Sequence, residues 1–248
     1  MGRKILITGG KGGVGKSTFV CNLAVSLALL GRKALLVDAG EGVRTLDVML
    51  GVDESTVFDL GDVLSGNCAI DDALIDVESL ENRGEIKLFA APLDFEASKA
   101  DGVFEEFILQ VEDEFDYVLI DCAPVKNFAF CGFLPAVDEV IVVSENDLIS
   151  TKAAAFVHRK ILSYGDKRAK FILNKFDPRA VKGKDFLTID EIIDETSMQL
   201  LGTIPFDGRV SLTDSVTERA KNKKMSDSVS KIVGRLEGKN IPLDPKKG

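Results

Sequence analysis

The chain is poor in cysteine, and its four cysteines form no pattern typical of a metal site or a disulfide framework. Cys21, Cys68, Cys122 and Cys131 lie far apart in the 248 residues, without a Cys-x-x-Cys pair. This spacing argues against a zinc ribbon and favours a reducing compartment. Long apolar runs are also missing, since none approaches the roughly 18 to 20 residues that a membrane span needs, and Met1 to Thr8 is too short for a signal peptide. We therefore expect a cytoplasmic protein.

Positively charged residues are outnumbered by negatively charged ones. Lysine and arginine number 31 against 40 aspartates and glutamates, which gives a net charge of −9. A surface of this sign repels phosphate backbones, so we expect no strong nucleic-acid binding. The basic run at Arg219, Lys221, Lys223 and Lys224 is interpreted as a solvated face, with a DNA-contact role as the minor alternative.

Proline is rare too, with 7 residues, whereas 45% of the chain is apolar. This composition excludes disorder and collagen-like repetition, and the length suits one α/β domain. We place that domain at residues 1–238. The tail, residues 239–248, contains two prolines and is predicted to be frayed.

Short apolar runs alternate with segments of helical spacing from end to end. Continuous apolar runs suit strands that are covered on both faces, and strand–helix alternation predicts right-handed crossovers in a doubly wound, mostly parallel sheet of about seven or eight strands. We therefore predict a three-layer αβα fold that binds ligands outside the carboxyl ends of the strands. The predicted strands are Lys4 to Thr8, Lys33 to Val37, Ile86 to Ala90, Asp116 to Ile120, Glu139 to Val143, Ala169 to Leu173 and Leu201 to Ile204.

A glycine-rich loop directly follows the first predicted strand. From Gly10 to Ser17 it satisfies G-x-x-x-x-G-K-[ST], and an amphipathic helix comes next. Glycines let successive backbone N–H groups surround phosphate oxygens, and the helix N-terminus adds its positive dipole end. The motif predicts Lys16 at the β- and γ-phosphates and Ser17 as a ligand of Mg²⁺.

A second lysine, Lys11, lies inside this loop. The run from Lys11 to Ser17 resembles the deviant Walker A motif of the ParA/MinD family of P-loop ATPases. That resemblance implies a nucleotide-sandwich homodimer in which Lys11 reaches the phosphates of the partner copy, much as an arginine finger does. It further implies that ATP or ADP and Mg²⁺ are the cofactors. The loop residues expected to bind nucleotide are Gly10, Lys11, Gly12, Gly13, Val14, Gly15, Lys16, Ser17 and Thr18.

The resemblance extends from about Met1 to Asp214. The segment from Asp38 to Gly51 is similar to switch I of MinD proteins, which implies a catalytic role for Asp38 near the metal. Asp121 is similar to the Walker B aspartate and is the other implied metal site residue. Asn174 and Pro205 resemble the residues that contact and flank the adenine. We therefore expect Lys11, Lys16 and Asp38 to be catalytic, and Ser17, Asp38 and Asp121 to serve the metal.

Two positions depart from the family pattern. Switch I of the family reads Asp-x-Asp, but the second position is Gly40, so we expect slow hydrolysis with intact nucleotide binding. Glu41 replaces the missing carboxylate only if the backbone turns it toward the γ-phosphate, and a surface-facing Glu41 is favoured. In switch II, Val125 stands where MinD proteins usually have glycine, which predicts a stiffer segment.

The leading hypothesis is a MinD-like ATPase whose ATP-dependent dimer recruits partners, such as a MinC-like regulator, for division-site selection. MinD proteins attach to membranes by a C-terminal amphipathic helix, which the prolines of this tail forbid, so we do not expect this sequence to bind membranes on its own. A peripheral membrane location is expected only with a C-terminal helix that this sequence does not contain. The alternatives are a non-hydrolysing, ATP-gated scaffold and a flagellar-placement relative. That group usually carries an N-terminal extension before the P-loop.

The phenylalanines after switch II and Asp147 each allow two interpretations. The phenylalanines at Phe128, Phe130 and Phe133 fit a partner-facing patch, although three phenylalanines more often indicate a helix packed on the sheet. Asp147 fits an acidic residue near the dimer interface or a helix cap.

Overall fold

One mixed sheet organises the part of the chain that the computed structural model describes, namely residues 1–40, 44–77, 83–93, 102–123, 128–165, 167–177 and 186–243, without the side chains of residues 128 and 129. Its strands are β1 (Arg3–Thr8), β2 (Ala34–Ala39), β3 (Ile75–Asp76), β4 (Ile86–Phe89), β5 (Tyr117–Cys122), β6 (Glu139–Ser144), β7 (Arg168–Phe176) and β8 (Gln199–Pro205). The helices are α1 (Lys16–Leu29), α2 (Leu46–Leu50), α3 (Leu60–Leu64), α4 (Ile70–Ala73), α5 (Val103–Val111), α6 (Phe128–Phe133), α7 (Leu148–Ser163), α8 (Ile189–Thr196), α9 (Val216–Lys221) and α10 (Lys223–Leu236).

The strand order is β3-β4-β2-β5-β1-β6-β7-β8, and every pairing is parallel except that of β3 with β4. The predicted doubly wound sheet is therefore confirmed, and each of the seven predicted runs overlaps a strand. The strand that the sequence did not predict is β3, a two-residue edge. Two residues are too few to produce a periodic signal, so only pairing with β4 defines it.

The core lies on both faces of this sheet, because alternate strand residues point to opposite sides. Ile5 and Ile7 pack with α1 and α10 on one face, whereas Leu6 packs with α5, α6 and α7 on the other. Helix α1 is buried over most of its circumference, since it lies between the sheet and α10. The three-layer αβα arrangement thus places the helix that follows the glycine-rich loop at the centre of the molecule.

Two of the three phenylalanines near switch II belong to this core. Phe130 and Phe133 are fully buried, and the ring of Phe133 lies 4.5 Å from that of Phe104, edge to face. The packed-helix interpretation is therefore correct for these two residues, and neither is available to a partner. The side chain of Phe128 lies outside the described residues.

The structure corrects two predictions near the C-terminus. Arg219 is not solvated but buried, and its Nη2 donates to the carbonyl oxygens of Met49 and Leu212 at 3.2 and 2.7 Å. Residues 239–243 are not frayed, because Arg235 donates to the carbonyl oxygens of Ile241 and Pro242 at 2.9 and 2.8 Å. Residues 244–248 lie outside the described part. In the described part, none of the helices is both long and apolar enough to cross a membrane.

A buried ion-pair group joins three strands at the amino end of the sheet. Glu139 opens β6 and is 2% exposed, and its oxygens lie 2.7 Å from Arg3 Nη2 and 3.1 Å from Lys170 Nζ. Both cations are partly exposed, whereas the buried carboxylate has little access to water that could replace them. This group lies at the opposite end of the sheet from the glycine-rich loop.

We predict that Glu139→Gln lowers the free energy of unfolding by about 2 kcal/mol, because two partly buried cations lose the charge of their buried carboxylate. Urea unfolding measures this. The matched control is Glu85→Gln, because Glu85 pairs with Lys33 while both side chains are half exposed. Such a pair contributes less than about 0.5 kcal/mol. Equal losses in the two variants would contradict the prediction.

Candidate nucleotide site

The glycine-rich loop connects β1 to α1 at the carboxyl end of the sheet, and its path requires glycine at two positions. Gly15 has φ +86°, in the left-handed region, and a Cβ there would also collide with the side-chain amide of Asn174. A Cβ on Gly10 would collide with the backbone of Ala153 on α7. The loop is therefore fitted closely between α7 and the end of β7, as a backbone cradle for phosphate requires.

Two outward-facing carbonyl groups of this loop are held by side chains from β7. Asn174 Nδ2 donates to Val14 O at 2.8 Å, and Lys175 Nζ donates to Gly13 O at 2.7 Å. At the other end of the loop, α1 begins at Lys16, so the N–H groups of its first turn have no intrahelical acceptor. These amides form the anion-binding end that the motif predicts.

Asp121 lies at the carboxyl end of β5, next to Asp38 at the end of β2, because the parallel register pairs these two residues. Asp121 is buried, and within the described residues its Oδ1 has no hydrogen-bond partner. Burial and the neighbouring charge of Asp38 raise the pKa of Asp121 to about 6, against the opposing effects of the Ser17 hydrogen bond and the Lys16 charge. The structure thus brings Lys16, Ser17, Asp38 and Asp121 together.

Asp38 has a further role that the sequence did not indicate. Its Oδ1 accepts a hydrogen bond from Gly40 N at 3.0 Å, and its Oδ2 accepts from Thr45 N at 3.1 Å and Leu46 N at 2.9 Å. Burial raises the pKa of Asp38, although these three backbone donors oppose the shift. The carboxylate therefore binds the backbone directly after β2, at Gly40, and the backbone at the start of α2.

The residues present fit Mg²⁺. A buried carboxylate oxygen without a donor is costly unless a cation or water satisfies it, and Asp121 Oδ1 is such an atom. Mg²⁺ takes oxygen ligands and is usually held by one or two carboxylates together with phosphate oxygens and water. Ser17 and Asp121, beside Asp38, supply that donor set. Among the described residues, no group of three or more His, Cys, Asp or Glu side chains forms an all-protein metal cage.

Lys11 lies on the outside of the loop, with its side chain 44% exposed and its Nζ 3.9 Å from Asp147 Oδ2. Asp147 caps α7, since its Oδ1 accepts from Ser150 N at 3.0 Å. Burial raises the pKa of Asp147, but the Ser150 hydrogen bonds and the Lys11 charge outweigh it, so the pKa lies below its usual value. The cap interpretation of Asp147 is therefore correct in this structure, and its second oxygen faces Lys11.

The predicted adenine residues lie at the ends of the last two strands. Asn174 is near the end of β7, where its amide group binds the loop, and Pro205 ends β8. The exposed Phe206 follows, and Lys224 Nζ donates to its carbonyl oxygen at 2.8 Å. The base contacts stay a prediction. Glu41 and Val125, the two other positions of interest in the switches, lie outside the described residues.

Sequence reasoning missed two residues around this site. The only sequence clue to the loop contact of Lys175 is that it follows Asn174. The sequence does not indicate the burial of Arg219, because a buried arginine in a basic run cannot be distinguished from an exposed one. Both bind backbone carbonyl groups of functional segments. Such contacts leave no spacing pattern in the chain.

Known proteins are similar in sequence to this chain over most of its length. A family model described as an AAA domain matches residues 2–170. The septum site-determining protein MinD of Synechocystis sp. is 31% identical over 98% of this chain and 92% of its own length, and that of Bacillus subtilis is 30% identical over 98% and 92%.

Solved structures give the same relationship. A chain of the MinC:MinD cell division protein complex of Aquifex aeolicus has a TM-score of 0.83 and 30% identity, with 98% of each chain covered. The septum site-determining protein MinD of Pyrococcus horikoshii, complexed with Mg-ADP, has a TM-score of 0.79 and 27% identity, with 96% of each chain covered.

We predict that Asp121→Asn makes the nucleotide-free protein more stable, and increasingly so as the pH rises. Asp121 has a folded pKa above its unfolded value, so its ionisation costs stability as the pH passes through about 6, whereas asparagine carries no charge. The advantage of the variant should grow by about 1 kcal/mol between pH 5 and pH 8.

Urea unfolding in EDTA at the two pH values measures this growth. Asp194→Asn is the control, because Asp194 is exposed on α8 and should give the same small difference at both pH values. An Asp121→Asn advantage that does not change with pH would contradict the assignment of Asp121 as a buried, charged carboxylate.

Proposed function

The chain belongs to the ParA/MinD family of P-loop ATPases, and we propose that it is a MinD-like ATPase of division-site placement. In this proposal it binds Mg·ATP and forms a dimer with a second copy of itself. The observation that carries the proposal is that the glycine-rich cradle lies beside buried Asp121, whose Oδ1 has no hydrogen-bond partner among the described residues. Together they provide adjacent places for phosphate and for a divalent cation.

The residues have distinct roles in this proposal. The loop amides and Lys16 bind the phosphates, while Ser17 and Asp121 hold the metal, with Asp38 beside them. Mg²⁺, when bound, neutralises phosphate charge and orients the terminal phosphoryl group. Asp38 keeps the switch I segment against the site through its three backbone hydrogen bonds. Pro205 and Asn174 flank the base at the ends of β8 and β7.

The slow hydrolysis that we propose follows from position 40. Gly40 provides only its backbone N–H, which donates to Asp38 Oδ1, so no side chain is available there to orient the attacking water. Phosphoryl transfer depends on positioning and charge, and binding does not depend on that carboxylate. Nucleotide affinity and turnover should therefore be separable.

We predict that Gly40→Asp raises ATP turnover by about ten-fold or more while the dissociation constant for Mg·ADP stays within about three-fold. Steady-state phosphate release and calorimetry measure the two quantities. Gly40→Asn is the matched control, because it has the same shape without the charge and should leave turnover near the wild-type rate. Turnover that is equal in all three proteins would show that position 40 does not limit the chemistry.

The dimer proposal rests on Lys11. Its side chain is partly exposed and contacts Asp147 only at 3.9 Å, a weak pair that a stronger phosphate contact can replace. A cation on the outer side of the loop is positioned to meet a second subunit rather than the phosphates that its own loop surrounds. This supports the role in trans that the family resemblance implies.

We predict that ATP dimerises the wild-type protein but not Lys11→Ala, because the variant lacks the cation offered to the partner's phosphates. Light scattering with ATP and with ADP measures the mass. The control is Lys152→Ala, since Lys152 is another exposed lysine paired with an acidic residue, Glu195. It should dimerise like the wild type. A monomeric wild type with ATP, or a dimeric Lys11→Ala, would contradict the proposal.

A MinC-like regulator is the partner class that we propose. The support is the high TM-score to a chain of the Aquifex aeolicus MinC:MinD complex over nearly the whole length. Phe130 and Phe133 are buried in the core, so these two side chains do not contribute to that interface.

A further inference from the structure

Two consecutive residues of β7, Asn174 and Lys175, both bind the glycine-rich loop. Asn174 Nδ2 lies 2.8 Å from Val14 O, and Lys175 Nζ lies 2.7 Å from Gly13 O. In a regular strand, neighbouring side chains point to opposite faces of the sheet, so both cannot reach one loop. The strand must therefore depart from regular geometry at this point.

That departure is visible in the backbone. Lys175 has φ +52°, in the left-handed region that glycine adopts freely but that L-residues other than asparagine and aspartate rarely adopt. The pairing of β7 with β8 also shifts register between Leu173 and Phe176. The unfavourable conformation turns the Lys175 side chain onto the loop. Glycine would adopt this conformation without strain, so the presence of lysine calls for a role of its side chain.

The contacted carbonyl groups determine where the loop amides point. A peptide unit is planar, with its C=O and N–H on opposite sides. Fixing Gly13 O outward therefore directs Val14 N–H inward, and fixing Val14 O outward directs Gly15 N–H inward. Inward N–H groups in succession are what a phosphate-binding cradle consists of.

The position of the lysine amine is itself fixed by Glu145, which follows the end of β6. Lys175 Nζ lies 2.7 Å from Glu145 Oε1, with the lysine side chain 41% exposed. An ion pair this exposed contributes little stability by itself. Its consequence here is geometric, because it holds the amine between the loop and β6.

We propose that Lys175 is a positioning residue for phosphate binding, which acts by holding the Gly13–Val14 peptide so that the loop amides face the nucleotide. This inference rests on the proposed function, in which that loop binds the phosphates of ATP or ADP. In this role Lys175 contacts no reacting atom. Its removal should weaken the affinity for both nucleotides, which share the phosphates that the loop surrounds, and should raise KM more than it lowers kcat.

The test compares four variants by calorimetry with Mg·ADP. Lys175→Met should weaken binding by about ten-fold, the effect of losing one hydrogen bond from a charged donor. Lys175→Gly should weaken it as much, although glycine relieves the left-handed strain and should preserve or raise stability. Lys175→Arg retains donors near Gly13 O and should bind within about three-fold of the wild type.

Lys170→Met is the matched control, because Lys170 is a lysine of the same strand whose ion pair, with Glu139, lies at the far end of the sheet. It should lose stability in urea without a change in the Mg·ADP dissociation constant. Wild-type affinity in Lys175→Met or Lys175→Gly would overturn the inference while leaving the proposed function intact. A wild-type protein that does not bind Mg·ADP would overturn the proposed function itself.

Discussion

Two carboxylates, Asp38 and Asp121, are buried side by side at the ends of neighbouring parallel strands, and the rest of the site depends on how this charge is compensated. The register of β2 with β5 leaves them no separation along the sheet. Burial disfavours the ionised form of both, and a neighbouring carboxylate adds to the effect, namely Asp38 at Asp121 and Asp47 at Asp38. Lys16 and the Ser17 hydroxyl compensate Asp121 only in part, since its Oδ1 has no partner among the described residues. A divalent cation is the group that would satisfy this arrangement, so the nucleotide-free protein carries an electrostatic cost that ligand binding removes.

The phosphate cradle is a loop, but its shape comes from the rigid elements around it. Helix α7 approaches Gly10 so closely that no side chain fits there, and the end of β7 holds two of the loop carbonyl groups. Backbone amides bind anions well only when they are held in place before the ligand arrives, because ordering them afterwards costs conformational entropy. The glycines provide the freedom to adopt the loop conformation, and the surrounding side chains then restrict that freedom.

Local patterns predicted the sheet and the loop but not the contacts between distant segments. The apolar runs located seven strands, and the motif located the phosphate cradle, because these signals lie within a few consecutive residues. The edge strand β3 has two residues and was missed. Arg219 was wrongly predicted to be exposed, because its acceptors on Met49 and Leu212 lie in other segments and only the folded chain brings them together. The order of residues 239–243 was not predicted for a similar reason. Arg235 binds backbone carbonyl groups of this segment, and because every residue has such a group, the sequence gives no sign of the contact.

These long-range contacts also connect the metal end of the site to the segment after β8. Asp38 binds the backbone where α2 begins, and Arg219 binds the carbonyl oxygen of Met49 near the end of the same helix. The same guanidinium nitrogen also binds Leu212 O, in the segment that follows Pro205. Helix α2 is short, with five residues, and so has little stability of its own. Its position depends on the burial of Leu46, Met49 and Leu50 in the core and on these two polar contacts. Any rearrangement of Asp38 on nucleotide binding must therefore either carry the start of α2 with it or break a hydrogen bond in a buried site.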